Sequence, residues 1–306
     1  MNDYPSAAER LFRTAGPFYH LCTKGAEDTV YYENDEERYL AINYLAIAVM
    51  SSGCRLLAYA IMSNHYHFVL EGVLERVMDF WNHFRELMDT YLKHHGRTGL
   101  LSGTRATPFP IENIRQFRNT IAYVIRNGFT ARSDIHVFAD PWSSGYLYFN
   151  PLLRKDGISA ARIKGQSLRD FTHSRKFSGL DGRIAVYNMR AQPWSFVDYK
   201  RVEQFFDSAR QFVLCVMKNV EGMVEIAISQ GENPGLGDEE LFPLVCRLCR
   251  DRLRADNPSA LDLPSRKQLA LWIRQKFGSG NKQIARLAKL PLREVDAMFP
   301  LSKVTP

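Results

Sequence analysis

Two histidines one residue apart, in Asn64-His65-Tyr66-His67-Phe68, are the first residues of this 306-residue chain whose types and spacing suggest chemistry. The run is apolar and strand-like. On a strand, residues i and i+2 point to the same face, so His65 and His67 project side by side while Tyr66 and Phe68 face the other way. Neutral imidazoles ligate divalent cations, and two at this spacing can share one ion. Two unrelated histidines on a half-buried strand would have the same spacing, so the pair alone leaves both readings open.

A tyrosine further on adds a second group. The segment Asn113–Ala131 reads as a helix whose apolar stripe is Ile114, Phe117, Ile121, Val124 and Ile125. At 3.6 residues per turn, Tyr123 falls on the opposite side, with Asn127 one turn on and Gln116, Asn119 and Thr120 sharing that polar side. Such a tyrosine is either simply exposed to solvent or a phenol held over a site on the sheet. In the second case Asn127 would supply an oxygen ligand to the ion between the imidazoles.

The elements that must position these groups follow from periodicity. Phe18–Thr23 is a short β-rich run, ended by Lys24-Gly25. Asn34 caps a helix with acidic residues in its first turn, and Ser51-Ser52-Gly53 stops it. The apolar runs Arg55–Met62 and Tyr66–Glu71 flank Ser63-Asn64, which suits a tight turn between antiparallel strands. A helix from Leu74 to His94 carries Val77, Phe80, Trp81, Phe84, Leu87, Met88 and Tyr91 at helical spacing, and the two histidines at its end, His94 and His95, suit carbonyl capping. Thr107–Ile111, interrupted by prolines, suits an edge strand. The order β-α-β-β-α-β predicts an α+β, ferredoxin-like antiparallel sheet with helices on one face, followed by the extra tyrosine-bearing helix. That fold hosts many functions and assigns none.

Residues 1–150 would form this catalytic domain. Residues 151–240 read as a basic connector with some helix, in which helices return from Ser195. There the aromatics of Trp194–Phe206 are expected to pack on the preceding domain, and Gly231–Gly237 forms a break. Residues 241–306 read as an all-α module. Within it a helix from Ser265 turns Leu269, Trp272, Ile273 and Phe277 inward. Asn281–Leu290 and Arg293–Phe299, joined by a short turn and burying Ile284, Leu287 and Val295, match a helix-turn-helix. Its second helix would read duplex DNA, with Arg293 near its start, and Lys282, Arg286 and Lys289 would contact phosphates. An ordinary helical bundle with a solvated basic face is the alternative.

Taken together, the motif Ser-Asn-His-Tyr-His-Phe-Val-Leu over 63–70 and Ala-Tyr-Val-Ile-Arg-Asn over 122–127 resemble the HUH-superfamily tyrosine transposases. These are the single-strand transposases of small insertion sequences and, more closely, their REP-associated relatives. The likeness spans roughly 17–150. It includes Phe-Tyr-His-Leu-Cys-Thr-Lys-Gly at the first strand and Pro141-Trp142-Ser143-Ser144, with Gly145 inserted before Tyr146. The resemblance implies that His65, His67 and Asn127 hold Mg²⁺ or Mn²⁺ and that Tyr123 is the nucleophile, with Arg126 beside it contacting DNA. It also implies a single-stranded, hairpin-bearing DNA substrate. The chain departs from the family pattern in having Gly128 where proline commonly follows the asparagine.

Composition sets the outer bounds. An apolar share of 45% supports a packed core, and a net charge of +7 with a pI near 9.1 suits a polyanionic partner. The five cysteines have no framework spacing, and Cys246-Arg-Leu-Cys249 lies in a helical context that suits structural thiols. The N-terminal stretch has no apolar signal core, and no run is long and apolar enough to span a bilayer, which points to the cytoplasm. The leading expectation is a transposase-like nicking and rejoining enzyme, monomeric or homodimeric. A non-catalytic DNA-binding regulator and a metal-dependent nuclease without a covalent intermediate are its competitors.

Overall fold

Short apolar runs within the first 110 residues pair into one antiparallel sheet. The computed structural model describes residues 5–23, 30–130, 136–218, 220–230 and 236–300. It begins with α1 (Ala7–Thr14), β1 (Phe18–Thr23), α2 (Asp35–Ser52), β2 (Arg55–Ile61), β3 (Tyr66–Glu71), α3 (Leu74–His94), β4 (Ala106–Pro110) and α4 (Ile114–Thr130). The sheet order is β2-β3-β1-β4, with every neighbouring pair antiparallel. This is the ferredoxin-like arrangement that the element order predicts. Lys24-Gly25, expected to end β1, lies outside the described residues.

Local signals account for the helix ends. The Asn34 side chain accepts from Glu37 N at the start of α2, and Gly53, at φ 68°, supplies the left-handed residue after its end. The rings of His94 and His95 cap carbonyls, with Nδ1 of each 2.9 Å from the oxygens of Thr90 and Tyr91 respectively. Helix α1 was not among the expected elements, although Ser6 and Glu9 form a reciprocal capping box that marks its start.

The stretch expected as a connector is folded. It holds β5 (Ile158–Ser159), α5 (Gly165–Thr172), β6 (Ala185–Tyr187) and β7 (Arg190–Ala191), the three strands forming a second small sheet. Strands of two or three residues carry too few positions to show a period, which is why the sequence reads as irregular there. The layer docks on α2. Asn43 Nδ2 donates to the carbonyls of Phe171 and Met189, Ala191 N donates to Asn43 Oδ1, and the Tyr44 hydroxyl donates to Thr172 O. With the sheet on one side and this layer on the other, α2 is buried continuously from Leu40 to Val49.

A second covering forms over α4. Helices α6 (Tyr199–Glu203) and α7 (Ala209–Lys218) follow, and Phe205 joins Phe12, Phe18 and Phe117 in an aromatic cluster. The aromatics of this segment therefore pack on the sheet domain, as expected. Arg118 Nε donates to Phe205 O at 2.7 Å, and Arg126 donates to Val216 O at 3.1 Å.

The free edge of β2 is paired by the Trp142-Ser143-Ser144 segment. Ile61 N donates to Trp142 O and Ser144 N to Tyr59 O, while Tyr59 N donates to Ser144 Oγ. Farther along, the Tyr148 hydroxyl donates to Leu57 O, beside the register shift between Leu56 and Ala58. These bonds cover an edge that would otherwise present unpaired backbone groups. They also require a glycine at 145, because a Cβ there would lie 2.8 Å from Ile125 Cγ2 on α4 and 3.1 Å from Val137 O.

Residues 1–219 make one compact unit and 220–306 a second. The second contains α8 (Val220–Ser229), α9 (Asp238–Leu253), α10 (Leu263–Phe277), α11 (Asn281–Ala288) and α12 (Leu292–Met298). Its core gathers Val245, Leu269, Ile273, Phe277, Ile284, Leu287 and Val295. Cys249 is buried in α9 and Cys246 half-buried. Most of the Gly231–Gly237 break lies outside the described residues. Among the described residues no helix is long and apolar enough to cross a membrane.

Candidate active site

Strand register brings three separated side chains together on the sheet face that α4 covers. Cys22 lies opposite His67 in the β1–β3 pair, and directly opposed residues share a face. His20, two residues before Cys22, therefore projects from the same side. Tyr66 and Phe68 project from the other, against Trp81, Phe80 and Phe84 of α3.

His65 stands at the mouth of the hairpin. Met62 N donates to His65 O across Ser63-Asn64, which closes the turn and starts β3. The rings of His65 and His67 are 4.9 Å apart by centroid. His65 Nδ1 lies 2.7 Å from Asn64 Oδ1. A carboxamide oxygen only accepts, so Nδ1 carries the proton and Nε2 presents its lone pair. Burial lowers the His65 pKa to about 4 and that of His20 to about 3. Burial also pushes His67 well down, helped by any positive charge on His65 or His20. All three imidazoles are therefore neutral at neutral pH, the form that binds cations.

Helix α4 sets the phenol over these rings. Tyr123 meets His67 edge-on at 5.5 Å and His20 at 5.9 Å between centroids. Tyr123 lies over the sheet, but it is not on an exposed polar side, since only 4% of it is accessible. Asn119 and Thr120 are buried as well. The helical wheel divides α4 into an apolar and a polar side. The tertiary structure covers both, with the sheet under Phe117 and Tyr123 and the Phe205–Met217 segment over Arg118 and Arg126.

Asn127 is half-buried, and its Nδ2 donates to Tyr123 O at 3.1 Å, so the amide nitrogen is turned back along its own helix. Arg126 is buried and bonds backbone carbonyls, which corrects the expectation of a DNA contact: a guanidinium enclosed between α4 and α7 meets no phosphate. In the second unit, Lys282, Lys289 and Arg293 are exposed. Arg286 is exposed too, but it holds both carboxylate oxygens of Asp238 at 2.5 and 3.0 Å. Helices α11 and α12, joined through Lys289 in the left-handed region, have the helix-turn-helix order with Val295 fully buried between them.

Two residues of the cluster were not singled out from the sequence. His20 Nε2 lies 3.2 Å from His67 Nδ1, and the ligand atoms of His20, Cys22 and His67 all lie within 4.8 Å of one another, a group able to hold a metal ion. The pair His20-Leu21-Cys22 carries the same i, i+2 strand signal as His65 and His67, and that spacing is what would have revealed it.

No protein-family model matches the chain, and no curated protein does. A solved structure of a REP-associated tyrosine transposase bound to a REP hairpin is similar over 44% of this chain and 79% of its own, at 15% identity and a TM-score of 0.33.

Proposed function

We propose that this protein is a transposase-like single-stranded DNA endonuclease and strand transferase, with Tyr123 as nucleophile and a 5′-phosphotyrosine intermediate. The observation that carries the reading is the packing of the Tyr123 ring against His67, with His65 next along the same face. A phenol and two neutral imidazoles from distant segments are thereby gathered within one small space.

His65 and His67 suit a divalent cation by donor chemistry, since both are neutral and His65 is oriented by Asn64. Asn127 is the candidate third ligand, with Mg²⁺ or Mn²⁺ the ion suited to an amide oxygen and a phosphate. When bound, the cation supplies charge stabilisation to the scissile phosphate. The chain's own residues do the rest. Tyr123 Oη attacks phosphorus as the P–O3′ bond breaks, and the phenol's proton ends on the departing oxygen, which leaves as a free 3′-hydroxyl. The phosphotyrosine conserves the phosphodiester bond energy, so a 3′-hydroxyl rejoins the strand by the reverse step without ATP. A free phenol has a pKa of about 10 and is a weak nucleophile at pH 7, so the reaction depends on these neighbours.

Burial sets a condition on this chemistry. Tyr123 and His67 are 4% and 0% accessible, so a DNA strand reaches them only after α4 moves off the sheet face. The same burial favours a second reading, a non-catalytic duplex-DNA binder acting through Lys282, Lys289 and Arg293. One experiment separates the readings. The full chain is incubated with hairpin-bearing single-stranded DNA and Mg²⁺ or Mn²⁺, then denatured. An adduct that withstands denaturant and is lost in Tyr123→Phe supports strand transfer. Cleavage that survives Tyr123→Phe supports hydrolysis without a covalent link, and duplex binding without cleavage supports the regulator.

A further inference from the structure

We propose that His20, Cys22 and His67 form a transition-metal site of the zinc type that joins β1 to β3 beneath Tyr123. It is distinct from the His65, His67 and Asn127 set, because it takes its second imidazole and a thiolate from β1 rather than an amide from α4.

The antiparallel register builds the site. Cys22 is the direct partner of His67, and His20 is the next residue on the same face of β1, so the positions of all three are fixed by backbone pairing. The three side chains are 5% accessible or less, and their ligand atoms lie within 4.8 Å of one another. His20 Nε2 and His67 Nδ1 are 3.2 Å apart. Two nitrogens bound at about 2.05 Å to a tetrahedral ion stand about 3.3 Å from each other. The separation held in the folded chain by one shared hydrogen bond is thus close to the edge of a zinc coordination tetrahedron.

Ligand type selects the ion. A thiolate with two imidazoles suits Zn²⁺ or Co²⁺ and not Mg²⁺, which prefers oxygen and keeps its waters. Binding requires one proton to leave, that of the Cys22 thiol, which passes to solvent. Each imidazole stays neutral and carries its proton on the ring nitrogen turned away from the ion. A neutral imidazole offers one lone pair, so His67 serves one metal set at a time.

The test needs no DNA, so it stands or falls separately from strand transfer. The full chain is stripped of metal by a chelator and titrated with Co²⁺. One equivalent is expected to produce a thiolate-to-cobalt charge-transfer absorption, which Zn²⁺ then displaces. In Cys22→Ser the band should be lost and Zn²⁺ affinity should fall at least tenfold. The double variant Cys246→Ser/Cys249→Ser should keep the band. Absence of a charge-transfer band in the wild-type chain overturns the proposal, whatever the folding of the variants. Its retention in Cys22→Ser together with its loss in the Cys246 and Cys249 variant overturns it as well.

Discussion

Tyr123 on α4 meets His67 on β3 edge to face, with ring centroids 5.5 Å apart and both side chains buried. Neither residue's local sequence specifies the other. Helix α4 is pressed onto the sheet by the segment that follows, through bonds from Arg118 and Arg126 to carbonyls between Phe205 and Met217. Packing thus decides that a phenol lies over an imidazole.

Tyr123→Phe keeps the ring and its packing and removes only the hydroxyl. The denaturant-resistant protein–DNA adduct should disappear while Tm shifts by only about a few degrees. Gel analysis of the adduct alongside a thermal melt checks both. A persistent adduct would rule Tyr123 out as the nucleophile.

His65 and His67 should separate stability from activity. His67 is fully buried, so His67→Ala leaves a void beneath α4 and should cost about 2–4 kcal/mol. His65 is only half-buried at the hairpin mouth, and His65→Ala should cost less, about 1 kcal/mol. Metal-dependent cleavage should be lost in both. Urea denaturation with a cleavage assay makes the comparison, and full cleavage by the well-folded His65→Ala variant would remove His65 from the metal set.

Gly145→Ala tests the covering of the β2 edge. The added methyl would meet Ile125 Cγ2 at 2.8 Å and Val137 O at 3.1 Å. Either α4 or the Trp142–Ser144 segment must then shift, at a cost of about 1–3 kcal/mol. The destabilisation should appear in thermal melts, and an unchanged Tm would mean that this packing yields freely.

Glu71 should impose an acid limit on stability. Burial alone would raise its pKa, but the bonds it accepts from Arg201, from Gly16 N and from Arg55 outweigh burial and lower it. A carboxyl whose folded pKa lies below its unfolded value contributes stability that is complete above the ordinary glutamate range and is lost as pH falls toward the folded pKa. Tm should therefore decline as pH drops below about 4.3. In Glu71→Gln the decline should be shallower, starting from a lower Tm at neutral pH.

Exposed cations of the second unit should control duplex binding. Neutralising Lys282, Lys289 and Arg293 together should weaken affinity and flatten its salt dependence, by about one unit of slope for each phosphate left without its cation. Arg286→Ala should do less, because that guanidinium is already held by Asp238. Arg126→Ala should lower stability and leave duplex affinity unchanged, since Arg126 is enclosed against α7. Fluorescence anisotropy at several salt concentrations measures all three affinities.

The amino-acid sequence by itself determined the β-α-β-β-α-β order of the sheet domain (though not the short α1 before it), the shared face of His65 and His67, and the helix that carries Tyr123. Each of these is a local matter: a period of two or of 3.6, a cap, a breaker. The strand β4 was legible as an edge strand because proline leaves ladder bonds unmade, and it lies at the end of the sheet order. The tertiary structure alone decided that His20 and Cys22 come up beside His67, because register between distant strands is set by the whole sheet. It alone decided that Tyr123 and Arg126 are covered, because a helical wheel shows which residues share a side but not how many sides a later segment will bury. It also turned residues 158–191 into a small sheet, whose strands are too short to have a period and are held by bonds to Asn43 and Tyr44, more than a hundred positions away along the chain.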